Sequence, residues 1–203
     1  MFEHDLTDPG EVGLNAELLD AIPDFFQKNY IDTGKIPCMA TLISRSGEVA
    51  HESYIGATEM GGSKPIGPET IFRIYSMTKP VTAVAAMMLV QEGKLKLDDP
   101  VAKFIPEFTQ MRVATSDTPA VDGTYPTKLA DTVMRVRHLL MFSSGIGPGL
   151  HKDSALAKEW ERRGLFQQPS GTLGERVSAL AQLPLFEEPG TRWRYGYSAD
   201  VLA

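Results

Sequence analysis

Apolar residues recur at helical spacing through "AELLDAIPDFFQKNY" (residues 16–30); Asn15 before them predicts an N-cap and Gly34 after them a stop. Pro23 in the interior predicts a kink or a division into two shorter pieces. The pattern then changes period. "CMATLISRSGEVAHESYIG" (38–56) reads as two strands joined by a turn at Arg45, Ser46 and Gly47. A Gly-, Ser- and Pro-rich loop over 60–69 leads to the short strand-like run "TIFRI" (70–74). From about Met77 to Gln91 the chain predicts an apolar helix, with Pro80 tolerated in its first turn and Gly93 ending it.

Beyond Gly93 the pattern is broken by Asp98, Asp99, Pro100 and Pro106, and residues 109–131 read as a long surface loop. Helical spacing returns in "VMRVRHLLMF", "SALAKEWERRG" and "GTLGERVSALAQL", and the chain ends on the helix-like "DVLA". Helix, hairpin and then helices predict an α+β plan. A two-stranded hairpin needs further strands or helical cover to be stable, and few strand candidates follow residue 75. The pattern therefore reads as that of an unfinished domain.

Composition narrows the class. The 203 residues are 42% hydrophobic and 23% charged, as in a globular protein, and the net charge of −6 disfavours nucleic acid or anionic membrane as partners. The single cysteine, Cys38, excludes a disulfide scaffold. "MFEHDLTDPG" lacks the basic and apolar regions of a signal peptide, and the apolar run Val81 to Val90 is half a membrane span, so a cytoplasmic location is expected. His4, His51, His138 and His151 show no metal-site spacing, and no cofactor or metal is expected. His138 is expected to cap or pack in its helix. Neither Ser144 nor Ser198 lies in a G-x-S-x-G elbow, "GIGPG" lacks the third glycine of a dinucleotide loop, and there is no P-loop.

One pair remains. Ser76 and Lys79 lie three residues apart where "TIFRI" gives way to the helix. A cation so early opposes the helix dipole. The spacing brings the amine back toward the hydroxyl, which needs a nearby base to become a nucleophile. The helix start also places the Ser76 backbone N–H near a developing oxyanion. By itself the motif is weak: with 12 serines and 10 lysines, chance gives about 0.6 S-x-x-K matches. An N-cap serine beside a solvated lysine explains the pair equally well.

The surrounding residues add specificity. "IFRIYSMTKPVTAVAAMMLVQEGKLKLDDPVAKFIPEF" (71–108) resembles the serine hydrolases of the class C β-lactamase superfamily, and "SMTKP" is most similar to its family VIII carboxylesterases. "VRHLLMFSSGI" (136–146) resembles a helix-and-turn segment usually written with His-Thr-Ser-Gly, where this chain has Phe142, Ser143, Ser144 and Gly145. "PLFEEPGTRWRYGYSADVLA" (184–203) is similar to the stretch carrying the second catalytic motif.

The resemblance implies an α+β fold of the β-lactamase/penicillin-binding-protein type, an antiparallel sheet flanked by helices plus a mainly helical subdomain, incomplete at the C-terminus. Residues 1–75 would supply helix and hairpin of the α/β part, and 76–203 the nucleophile helix and the helical part. It implies a serine hydrolase acting on a small-molecule ester with short acyl chains, in which Ser76 is acylated, Lys79 is its base partner and Tyr195 is the catalytic tyrosine, with Tyr197 the runner-up. Met77, Trp193 and Tyr197 would line the acyl site. Tyr197 occupies the asparagine position of the lactamases, which argues against β-lactam turnover. The family's third element, a strand with a Lys-Thr-Gly, His-x-Gly or Trp-Gly-Gly motif, would lie beyond residue 203. Two alternatives follow: a protein acylated by β-lactams, or a non-catalytic fragment.

Overall fold

The computed structural model describes residues 5–149, 153–162 and 171–203. Contacts divide the chain into two units, Met1–Arg73 and Ile74–Ala203.

In the first unit, helix α1 (Ala16–Phe26) starts where Asn15 Oδ1 accepts the Leu18 N–H at 3.0 Å. Pro23 does not divide it. The helix passes through Pro23 and widens to a π-turn over Gln27–Ile31, where the Asp32 N–H reaches the Gln27 carbonyl. It stops at Gly34, whose N–H bonds the Ile31 carbonyl. Asn15→Ala is expected to cost about 1 kcal/mol, because one first-turn N–H loses its acceptor. A lowered urea midpoint in far-ultraviolet circular dichroism checks this, and an unmoved midpoint refutes it.

The hairpin pairs β1 (Cys38–Arg45) with β2 (Glu48–Gly56), antiparallel, with Ile43 opposite His51 and a bulge between Ile43 and Ser44. Its turn residues Ser46 and Gly47 have φ of 57° and 91°. Two successive left-handed residues match the twist of the strands, and glycine takes the second at no steric cost. Thr41 Oγ1 bonds both His51 Nε2 (3.0 Å) and Ser53 Oγ (2.6 Å), and α1 packs on β2. "TIFRI" is not a strand. No described residue pairs with it and Ile71 is 96% exposed, so its β-branched residues meet no ladder partner.

In the second unit a 3-10 turn, Tyr75–Met77, leads into α2 (Thr78–Gln91). Only Ala86 of α2 is buried; Val81, Val84, Met87 and Met88 are exposed. The expected loop over 109–131 is partly strand. β3 (Arg112–Ala114) pairs antiparallel with β4 (Thr127–Leu129), and Val113 also bridges Leu185. Three residues per strand are too few for an alternating pattern to show, and Val113 is buried by the distant Leu185 rather than by its neighbours in sequence. Helix α3 (Val136–Leu140) begins later than its apolar run; α4 (Ala155–Arg162), α5 (Leu173–Leu180) and α6 (Ser198–Leu202) follow. In α5, Thr172 and Glu175 cap each other's backbone N–H groups. Phe108, Ile146, Leu156, Trp160, Leu185 and Val201 anchor one buried cluster, and α6 packs on α2, α3 and α5. No described helix is long and apolar enough to cross a membrane. His4 and His151 and the end of "SALAKEWERRG" lie outside the described residues.

Candidate active site

Ser76 stands on the exposed 3-10 turn just before α2. The turn is entered through Tyr75, whose φ of 49° is in the left-handed region. For a non-glycine residue that conformation costs about 1–2 kcal/mol, a local strain at the residue before the hydroxyl. One turn on, Lys79 Nζ donates to Ser76 Oγ at 3.3 Å. From the far end of the unit the Tyr195 hydroxyl donates to the same oxygen at 2.6 Å. Lys79 Nζ also lies 5.1 Å from the centre of the Tyr195 ring. The three side chains that the resemblance expects in catalysis thus meet at one oxygen.

Tyr195 is held from several sides. Its ring stacks on Phe142, with centroids 5.4 Å apart and planes 9° apart. Its neighbour Arg194 donates its backbone N–H to the Phe142 carbonyl at 2.7 Å and its guanidinium to the Pro148 carbonyl at 2.8 Å. The same guanidinium pairs with both carboxylate oxygens of the half-buried Glu187, through Nε at 2.6 Å and through Nη2. The Ser76 hydroxyl, then the Lys79 amine, hold the Tyr195 phenol below the usual tyrosine range; burial and the charge of Asp200 oppose them. Asp200, half-buried on α6, has its carboxyl pushed up by burial, opposed by Lys79 and its own backbone. With Thr78, Thr82 and Leu173 it lines a cleft beside Lys79.

Of the residues expected to line an acyl site, two lie in the open. Met77, next to Ser76, is 69% exposed, and Trp193 is 63% exposed with its ring 6.4 Å from that of Tyr195. Tyr197 is placed otherwise. Its ring stacks on the buried Trp160, 6.1 Å and 11° apart, and packs against the buried cluster. It is partly buried at the N-cap of α6, with its ring turned to the cluster.

Ser144 and Ser198 are buried with their hydroxyls 2.7 Å apart, closed to any substrate. His138 Nδ1 accepts the Arg135 backbone N–H at 3.2 Å at the start of α3. Burial, then Arg135 and Arg137, keep His138 below the ordinary histidine range. Among the described residues no group of three or more His, Cys, Asp or Glu is placed to hold a metal ion.

With this geometry, the family model described as beta-lactamase matches residues 20–203. The chain belongs to the beta-lactamase family. Within that family it is 30% identical over 198 residues to esterase EstB of Burkholderia gladioli, covering 96% of this chain and 46% of the esterase. It is 30% identical over 176 residues to the lovastatin esterase of Penicillium rubens, covering 84% of this chain and 42% of that one. Among solved structures, EstCE1, described as a hydrolase with promiscuous acyltransferase activity, superposes with a TM-score of 0.68 at 30% identity, over 92% of this chain and 45% of its own. The fold of this beta-lactamase family chain is thus the α+β one of the β-lactamase/penicillin-binding-protein type, with mixed helices and antiparallel strands. The chain spans somewhat less than half the length of these relatives.

Sequence reasoning missed Phe142 and Asp200. Both lay inside stretches singled out for resemblance. Nothing in the period or spacing of "MFSSG" or "YSAD" tells that one ring stacks on Tyr195 or that one carboxyl lies beside Lys79.

Proposed function

We propose that this chain carries the acylation half-site of a serine hydrolase for carboxylic esters with short acyl chains. The observation that carries the reading is the convergence of the Tyr195 hydroxyl and the Lys79 amine on Ser76 Oγ, at 2.6 and 3.3 Å. With Tyr195 first deprotonated to the phenolate, a form that Lys79 favours, Ser76 Oγ attacks the ester carbonyl carbon as its proton passes to that phenolate oxygen, the nearer group. The Ser76 backbone N–H meets the oxyanion. The carbon–oxygen bond to the leaving alkoxide breaks, Tyr195 returns the proton to that oxygen, and a water hydrolyses the acyl-enzyme. The apolar Met77 and Trp193 side chains flank the acyl group. Tyr197 offers no amide where a lactamase has asparagine, and its ring is packed inward, which supports esters over β-lactams.

The test is intact mass after exposure to a fluorophosphonate, with Ser76→Ala alongside. One adduct per chain, absent from the variant, is expected. No adduct on either chain overturns the reading in favour of a non-catalytic chain. A stable penicillin adduct without ester turnover overturns it in favour of β-lactam acylation. A second reading, transfer of the acyl group to an alcohol instead of water, is favoured by the acyltransferase activity named for EstCE1. New ester formed when an alcohol acceptor is added measures it directly.

A further inference from the structure

Phe142 is drawn into the site by backbone geometry. It follows α3 with a φ of 52°, a left-handed conformation that a bulky residue rarely adopts. Its N–H bonds the Leu139 carbonyl, and its own carbonyl takes the Arg194 N–H. Those backbone bonds are satisfied whatever side chain sits there. The ring is therefore an added feature, lying almost parallel to the Tyr195 ring. Its other neighbours do not fix the phenol along the same direction: Trp193 is tilted at 37° and exposed, and Lys79 reaches the ring with a flexible amine.

We infer that Phe142 is a positioning residue, whose ring holds the Tyr195 phenol in line with Ser76 Oγ. This rests on the reading of Ser76, Lys79 and Tyr195 given above. A tyrosine side chain has two rotatable bonds, and the hydroxyl lies at the far end of the lever they form. A flat ring against its face removes much of that freedom, and offset aromatic pairs are favourable beyond the area they bury. The two charged groups that face the phenol, Lys79 on α2 and Asp200 on α6, act in opposite directions on it. A phenol released from the stack spends less time on Ser76 and beside Lys79 and so binds its proton more tightly.

The test compares Phe142→Asn with Phe142→Tyr in the full chain. Asparagine tolerates the left-handed backbone and removes the ring; tyrosine keeps a ring. The first readout is the rate of fluorophosphonate attachment against pH. Phe142→Asn is expected to react about 5- to 10-fold more slowly, the size of one aromatic pair, with the rising limb moved to higher pH. Phe142→Tyr is expected to restore most of the rate and the native limb. The second readout needs no reactivity: the Tyr195 phenol is titrated by absorbance, as the difference from the matching Tyr195→Phe chain, and its midpoint is expected to rise in Phe142→Asn. If Phe142→Asn unfolds, Phe142→Gly takes its place.

A rate and limb unchanged in the ring-less variant overturn the proposal, as does a Phe142→Tyr chain as slow as Phe142→Asn. A unreactive native chain whose phenol midpoint still rises on loss of the ring would overturn the functional reading and leave the positioning role standing.

Discussion

Tyr195→Phe is expected to slow reaction at Ser76 by about 10²- to 10⁴-fold, the range of a positioned acid–base group. The substitution removes one oxygen. The ring remains to stack on Phe142 and to lie beside Lys79, and Arg194 still holds the backbone through Glu187, Pro148 and Phe142. Unfolding should therefore be unchanged while the closest proton acceptor of Ser76, at 2.6 Å, is gone. The pH dependence follows from the direction of the phenol's shift. Its proton-accepting form is the phenolate, and Ser76 and Lys79 hold its pKa below the ordinary value. The native rate should therefore rise at a lower pH than a free tyrosine would give, and this limb should be missing in the phenylalanine variant. Attachment of a fluorophosphonate, followed by mass against time over a pH series, measures both effects. A loss under threefold with the limb intact would make Lys79, still 3.3 Å from Oγ, the base and Tyr195 a bystander.

The second large effect is on stability. Gly145→Ala is expected to cost about 3–5 kcal/mol, against about 1 kcal/mol for Gly93→Ala in the same unit. Both glycines have positive φ, 78° and 71°. A methyl on Gly93 meets nothing within 4 Å, so only the left-handed backbone term applies. A Cβ on Gly145 would lie 2.3 Å from the Glu187 carbonyl oxygen, which real Cβ atoms do not approach. Backbone cannot swing aside as a long side chain does. The Gly145 carbonyl accepts the Phe186 N–H, and the Ser143 carbonyl accepts the Gly190 N–H, so the contact sits between two strapped segments. Both tryptophans, Trp160 and Trp193, lie in this unit, so urea unfolding followed by tryptophan fluorescence reports on it. Equal losses for the two variants would show that the segment around Gly145 yields. The approach of residues 143–147 to 186–197 would then not be what holds Tyr195 and Phe142 together.

The hairpin and the Ser76–Lys79 pair were readable for the same reason: each depends on residues close in sequence. Arg45, Ser46 and Gly47 mark a turn between two strand-like runs, and in the structure Ser46 and Gly47 are both left-handed while the flanking runs close in register. S-x-x-K at a helix start puts amine and hydroxyl on one face through helical rise alone. "TIFRI" and the stretch 109–131 were misread because strand identity belongs to a pair. An apolar run without a partner is not a strand, and three residues beside a partner are.

The sequence by itself determined the local devices: the Asn15 cap, the hairpin turn, the helix that starts after Ser76 and the spacing that puts Lys79 within reach of it. The tertiary structure alone decided that Tyr195, 119 residues away, brings its hydroxyl to Ser76 Oγ and that Tyr197 stacks on Trp160. It also decided that Phe142 stacks on Tyr195 and that Asp200 stands beside Lys79. The physical reason is one of range. Backbone periodicity fixes which neighbours share a face, whereas meetings across the chain are fixed by burial and by close backbone approaches such as Gly145 against Glu187, which leave no periodic trace in the sequence.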